Sequence, residues 1–70
     1  AMTHDTYLHK NEFYHSGELM DRACRIITGK QGIPPSPQGR QKIGAHIVMM
    51  MRTRGMTDEQ IVNAAVVSFL

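Results

Sequence analysis

The sequence predicts an all-α protein, a single small domain of three short helices that spans all 70 residues. From Leu19 onward, apolar residues recur at the three-to-four-residue spacing of a helix rather than in strand-like alternation. Glycine, proline and hydroxyl residues divide this pattern into three segments. The run Ile47–Met51 places five large apolar residues in a row, more than one helix face can bury. We therefore expect a second surface to cover part of that run.

The first helix is predicted over about residues 17–28, after Ser16 and before Gly29, which is a C-terminal stop signal. Its apolar face consists of Leu19, Met20, Ala23, Ile26 and Ile27. Two carboxylates precede arginines by one helical turn, in the pairs Glu18 with Arg22 and Asp21 with Arg25. This spacing indicates a solvated, ion-paired face rather than a phosphate-binding stripe.

The second helix is predicted over about residues 36–54, after the linker GKQGIPPSP. Ser36 is the expected N-cap, Pro37 occupies the first helical position, and Gly55 follows the C-terminus. Two glycines lie inside the helix, Gly39 and Gly44. Each lowers the helix propensity by about 1 kcal/mol relative to alanine. An inward-facing glycine would also let another helix approach closely.

The third helix is predicted over about residues 57–69. Thr57 and Gln60 have the spacing of a capping box, in which each side chain bonds to the other's backbone. The following segment, IVNAAVVSFL, is apolar almost all round. A lone three-helix monomer is therefore expected to leave some of it exposed, at Val62, Val66 or Phe69.

This apolar surplus predicts a homodimer, either intertwined or side by side. A chain of 70 residues is marginally stable alone, and its single cysteine, Cys24, rules out an intramolecular disulfide. Specific interfaces bury about 800 Å² per chain, which would cover the surplus. The predicted dimer core consists of Ile43, Ile47, Met50, Ile61, Ala65 and Phe69.

Residues 1–15 show no clear periodicity. A short helix from about Asp5, a strand, and a flexible arm that becomes ordered on a partner all remain open. The segment is rich in aromatic residues, the side-chain type that anchors protein interfaces. The predicted anchors are Tyr7, Leu8, Phe13 and Tyr14, with Arg52 and Arg54 as a polar rim. Alternatively, the aromatic residues cap an open end of the helical core.

Other polar residues favour structural roles. The spacing of the potential metal ligands does not place them on one helix face, so we expect no metal site from His4, His9, His15 and Cys24. Cys24 is expected to be a small buried hydrophobe, and His46 a partly exposed structural residue. No nucleophile-and-base set is identifiable, so the sequence predicts neither an enzyme nor a cofactor.

The charge is mild, with a net charge of +2 and a pI near 9.0. A small DNA-binding transcriptional regulator is one possibility, because GMTDEQIV looks like the opening helix of a helix-turn-helix. As a recognition helix, however, it would present Asp58 and Glu59 to the phosphates. Specific nucleic-acid binding is therefore not expected. No run of 18 apolar residues or signal-peptide core occurs in the chain, so we expect no membrane association and a cytoplasmic location.

A protein-binding module is the favoured function. The chain has six methionines, four of them between Met49 and Met56, and methionine-rich surfaces adapt to their partners. In size, in its helical pattern from Ser16 to Leu70 and in its lack of catalytic residues, it resembles the small phage-encoded host-takeover proteins, including quorum-sensing anti-activators. That resemblance implies stoichiometric inhibition of a host protein such as a bacterial transcriptional regulator.

Overall fold

Three helices form the part of the chain that the computed structural model describes, residues 10–53 and 55–70. They are α1 (Lys10–Gln31), α2 (Pro37–Met51) and α3 (Asp58–Phe69). These residues contain no strand, so the predicted all-α class is confirmed for them. None of the described helices combines the length and the apolar character that crossing a membrane requires.

Helix α1 is longer at both ends than the predicted 17–28. At its start, residues 10–15 are helical, so of the alternatives left open for the N-terminal segment they adopt the helix and not the strand. Glu12 lies in the first turn, where its negative charge interacts favourably with the positive end of the helix dipole. The Ser16 hydroxyl, predicted to precede the helix, instead donates to the carbonyl of Phe13 at 2.7 Å within it.

Gly29 was predicted to end α1, but the helix runs through it to Gln31. The next residue, Gly32, has a φ of 83°, and its N–H donates to the carbonyl of Thr28 at 2.8 Å. The left-handed conformation that ends a helix is therefore adopted at the second glycine. A glycine inside a helix costs only about 1 kcal/mol, so Gly29 does not force an end by itself.

The predicted start signals of α2 and α3 are confirmed. Ser36 Oγ accepts a hydrogen bond from the Gly39 N–H at 3.1 Å, with Pro37 at the first helical position. Both bonds of the Thr57–Gln60 capping box are formed, at 2.9 and 3.2 Å. Helix α2 ends at Met51, earlier than the predicted residue 54, because the N–H groups of Arg52 and Thr53 donate to carbonyls three residues back, in a tightened last turn. Gly55, expected to follow the helix directly, lies three residues beyond the C-cap, Arg52.

Each helix packs against both of the others around one core. Two glycines of α2 allow the close approach that the sequence suggested. A Cβ at Gly39 would lie 2.9 Å from Cε1 of Phe69 in α3, and one at Gly44 would lie 3.2 Å from the sulfur of Met20 in α1. Because the last residue of α3 lies beside the start of α2, these two helices run antiparallel. The buried apolar residues are Leu19, Ala23, Cys24, Ile27, Ile43, Ile47, Met50, Ile61, Val62, Ala65 and Val66.

The apolar surplus falls on residues other than those expected. Val62 and Val66, predicted to be exposed, are buried at 1% and 4% exposure. Helices α1 and α2 both pack on α3, so a wide sector of its surface is covered. Val67 points away from that sector and is 75% exposed. In the run from Ile47, the Ile47 side chain is fully buried, whereas Met49 is 69% exposed.

Because α1 ends at Gly32 rather than at Gly29, alanine substitutions at these two glycines should change the stability of the protein in opposite directions. Gly29→Ala should stabilise the protein by about 1 kcal/mol, because the position is helical, exposed and has open space around it. Gly32→Ala should destabilise it by about 1 kcal/mol, because alanine is strained at positive φ. Urea unfolding measures both. If Gly29→Ala instead destabilised the protein and Gly32→Ala stabilised it, α1 would end at Gly29.

The apolar run offers a matched pair of truncations two residues apart. Ile47→Ala should cost about 2–5 kcal/mol, because it opens a cavity among fully buried side chains. Met49→Ala should change stability by less than about 0.5 kcal/mol, because its side chain is largely in solvent. Thermal and urea unfolding of a dilute sample measure both. Equal costs at the two positions would show that Met49 is also packed in solution.

Candidate functional site

Two adjacent aromatic side chains lie exposed near the start of α1. Phe13 is 64% exposed and Tyr14 is 58% exposed. Their rings contact edge to face, with centroids 5.8 Å apart and planes at 70°. They are two of the predicted anchors. The others, Tyr7 and Leu8, lie outside the described residues, as does Arg54 of the predicted rim.

The exposure of Phe13 follows from the lengths of the helices. Phe13 lies one heptad before Met20, and therefore on nearly the same face of α1. Met20 faces Gly44 of α2, and one heptad beyond Gly44 is Met51, where α2 ends. Thr28, later in α1, lines one cleft with Pro34, just before α2, so α1 and α2 run antiparallel. Phe13 thus lies level with the last residue of α2. The ring continues the inward face of α1 just where the neighbouring helix stops.

A histidine–carboxylate contact and an ion pair join α1 to the start of α3. His15 Nε2 lies 3.0 Å from Asp58 Oδ1, and Arg22 donates to Glu59. All four side chains are substantially exposed, so each pair contributes at most about 1 kcal/mol. The rotation of α1 is set mainly by its buried face, and these contacts are compatible with it.

The predicted ion pairs within α1 are wrong. Arg22 bonds to Glu59 in α3 rather than to Glu18, and Asp21 accepts from Arg40 in α2 at 3.4 Å rather than from Arg25. Contacts within one helix are weak, and the neighbouring helices place oppositely charged groups within reach of the same side chains. The charged residues therefore join helices to one another.

The methionines do not form a single partner surface. Met50 is buried, and Met51 and Met56 are partly buried against the core. Met49 is exposed but lies about 140° around α2 from Gly44, the position that faces α1. Arg52, part of the predicted rim, is exposed at the C-cap of α2. Filling the chain's own core is thus the main role of the methionine run.

Most residues of the predicted dimer core are covered within one chain. Ile43, Ile47, Met50, Ile61 and Ala65 are all buried by the chain's own helices, and Phe69 is partly buried. A dimer would have to use other apolar side chains, such as Met49 and Val67. The homodimer itself stays a prediction.

Cys24 is buried at 5% exposure, as expected for a small hydrophobe. Burial raises the pKa of its thiol, an effect that the guanidinium of Arg40 partly offsets and the carboxylate of Asp21 adds to. A raised pKa keeps the thiol protonated near neutral pH, and the protonated form is a poor nucleophile and ligand.

Within residues 12–53 and 55–70, no three histidine, cysteine, aspartate or glutamate side chains group closely enough to hold a metal ion. His4 and His9 lie outside the described residues.

A groove of about 520 Å³ lies between the start of α2 and the end of α3. Lys42 and His46 line it from α2, one helical turn apart, and Ser68 and Phe69 line it from α3. This groove is not among the sites predicted from the sequence. Its signal was the i, i+4 spacing of two basic residues on a helix without carboxylates, but the α3 wall is more than twenty residues away in the chain.

Comparisons of the chain with protein families, with curated proteins and with solved structures gave no match. The function is therefore argued from the residues and their arrangement.

Because the Cys24 thiol is buried, we expect it to make a contribution to the free energy of unfolding that is lost at alkaline pH. Its pKa is raised in the folded state, so the unfolded chain loses the proton first, near pH 9.0. The contribution is present below that pH and is lost as the pH rises through the folded pKa, by about 1.4 kcal/mol per pH unit at most. Between pH 8 and pH 10, the free energy of unfolding should therefore fall more steeply in the native protein than in Cys24→Ala. Parallel curves would contradict the raised pKa.

Proposed function

We propose that the protein is a small helical protein-binding module that modulates a partner protein by occupying its surface. The observation that carries this proposal is the exposed Phe13–Tyr14 pair on α1, level with the end of α2. In this proposal the module acts stoichiometrically and has no catalytic step.

The arrangement of the pair suits an interface anchor. Phenylalanine and tyrosine bury large areas on binding, and exposed aromatic pairs are enriched where proteins meet. Both rings project from a regular helix that is tied to α3 through His15. Little conformational entropy is therefore lost when a partner covers them. The phenolic oxygen of Tyr14 can also keep a hydrogen bond at the edge of such a contact.

The helix geometry suggests how a partner would dock. An apolar side chain placed beyond Met51, on the line of α2, would extend the packing that α2 gives to α1 and cover Phe13. Arg52, exposed at the C-cap of α2, is close to that line and suits the polar rim of the contact. The proposed anchors are thus Phe13 and Tyr14, with Arg52 as rim.

The proposed mode is inhibition of a regulator. It is the mode of the small phage-encoded host-takeover proteins that the chain resembles in kind, and it makes a bacterial transcriptional regulator in the cytoplasm the proposed partner class. The carboxylates of Asp21, Asp58 and Glu59 support a non-catalytic role, because each forms an ion pair between helices.

The test compares baits that differ only at the anchor. Phe13→Ala/Tyr14→Ala removes both rings, and Met49→Ala is the control, since it removes an equally exposed apolar side chain from another face. Both variants should unfold within about 1 kcal/mol of the native protein. A larger loss in the double variant would mean that the aromatic residues cap the core instead.

Capture from nuclease-treated lysate of the source cell, with quantitative mass spectrometry, then measures partner binding. We expect a protein that is retained by the native bait and by Met49→Ala but reduced about tenfold or more by the double variant, since anchor residues each contribute at least about 1 kcal/mol. Equal retention by all three baits would remove the anchor role. If the chain bound DNA sequence-selectively at physiological salt, the protein-binding proposal would be wrong, and the chain would be a DNA-binding regulator.

A further inference from the structure

The groove between α2 and α3 has the chemistry of a small-molecule site. Its volume, about 520 Å³, is within the range of about 300–1,000 Å³ that is usual for ligand pockets. Ile43, Ala65 and Phe69 give it an apolar floor, and polar groups stand along its rim. It lies at the opposite end of the bundle from Phe13, so it does not depend on the proposed protein-binding role.

The charge of the groove has one sign. Lys42 and His46 line it, and the described lining residues include no carboxylate. The three ion pairs between described residues use Arg22, Arg40 and His15 as their basic partners, so Lys42 is not neutralised by any of them. His46 offers an N–H donor whether its ring is neutral or charged. The rim is therefore complementary to an anion.

The donor set fits a carboxylate better than a phosphate. A phosphate site at the start of a helix uses several free backbone N–H groups. Here the N–H groups of Gly39 and Arg40 are donated to Ser36, and Pro37 has none, which leaves the Gln38 N–H of the first turn. The side chains that can donate into the groove are the Lys42 ammonium, the His46 imidazole, the Ser68 hydroxyl and the Gln38 amide, which can satisfy the two oxygens of a carboxylate.

The apolar floor of the groove indicates the chemical character of the part of the ligand that lies beyond its carboxylate. Phe69 lies so close to α2 that a Cβ at Gly39 would be 2.9 Å from Cε1 and 3.4 Å from Cζ of its ring. The ring is therefore seated beside the helix backbone, where it offers a surface for an aromatic or branched apolar body. We propose that this groove binds a small monocarboxylate with such a body, the carboxylate lying at Lys42 and His46 and the apolar part against Phe69.

Titration with benzoate, followed by ¹H–¹⁵N NMR spectra of the whole chain, tests the site. Benzamide is the matched neutral probe, and inorganic phosphate is the competing anion. We expect shifts confined to the groove, with a millimolar dissociation constant, and binding of benzamide weaker by about fivefold or more. Shifts spread over the whole surface, equal binding of benzamide, or the same shifts with phosphate would each overturn the assignment.

Two charge-matched variants separate the site from general electrostatic attraction. Lys42→Gln should weaken benzoate binding by about fivefold, whereas Arg25→Gln, which removes the same charge from α1 outside the groove, should change it by less than about twofold. Both side chains are exposed, so both variants should retain the native spectrum. An equal loss in the two variants would overturn the proposal.

Discussion

Close packing on both sides of α2 is the constraint on which the rest of the structure depends. This helix of 15 residues packs on both α1 and α3, and it presents Gly44 to the former and Gly39 to the latter. Without a Cβ at those positions, Met20 and Phe69 lie against its backbone. The approach lets side chains as large as Ile47 be covered completely in a domain of 70 residues. A small core is thus obtained by bringing helices together rather than by adding residues.

Unequal helix lengths then determine what remains exposed. Helix α1 has 22 residues, whereas α2 and α3 have 15 and 12. At about 1.5 Å per residue, α1 is some 10–15 Å longer than either neighbour. Its inward face therefore continues past the end of α2, and Phe13 is the side chain that lies there.

The features that could be predicted from the sequence are those encoded within a few residues. The cap at Ser36 and the capping box of Thr57 and Gln60 depend only on near neighbours, and both are present. Gly55 has a positive φ, but it does not end α2, whose C-cap is Arg52. The choice between Gly29 and Gly32 depended on two signals of similar strength, which the pattern alone could not rank. The pairing of Asp58 with His15 joins residues 43 positions apart, so it needed the helix arrangement. For the same reason Phe13 and Tyr14 could be proposed as anchors by residue type, whereas the α2–α3 groove could not be predicted.

The burial of Cys24 has a practical consequence. It is the only thiol of the chain, and it lies in the core between α1 and α2. A labelling reagent can reach it only when the helices separate, because its side chain is 5% exposed in the folded state. The rate at which the sulfur is modified therefore reports how often the bundle opens. Modification of Cys24 thus measures native-state fluctuations without an added label site, and any ligand or partner that stabilises the closed bundle will slow that reaction.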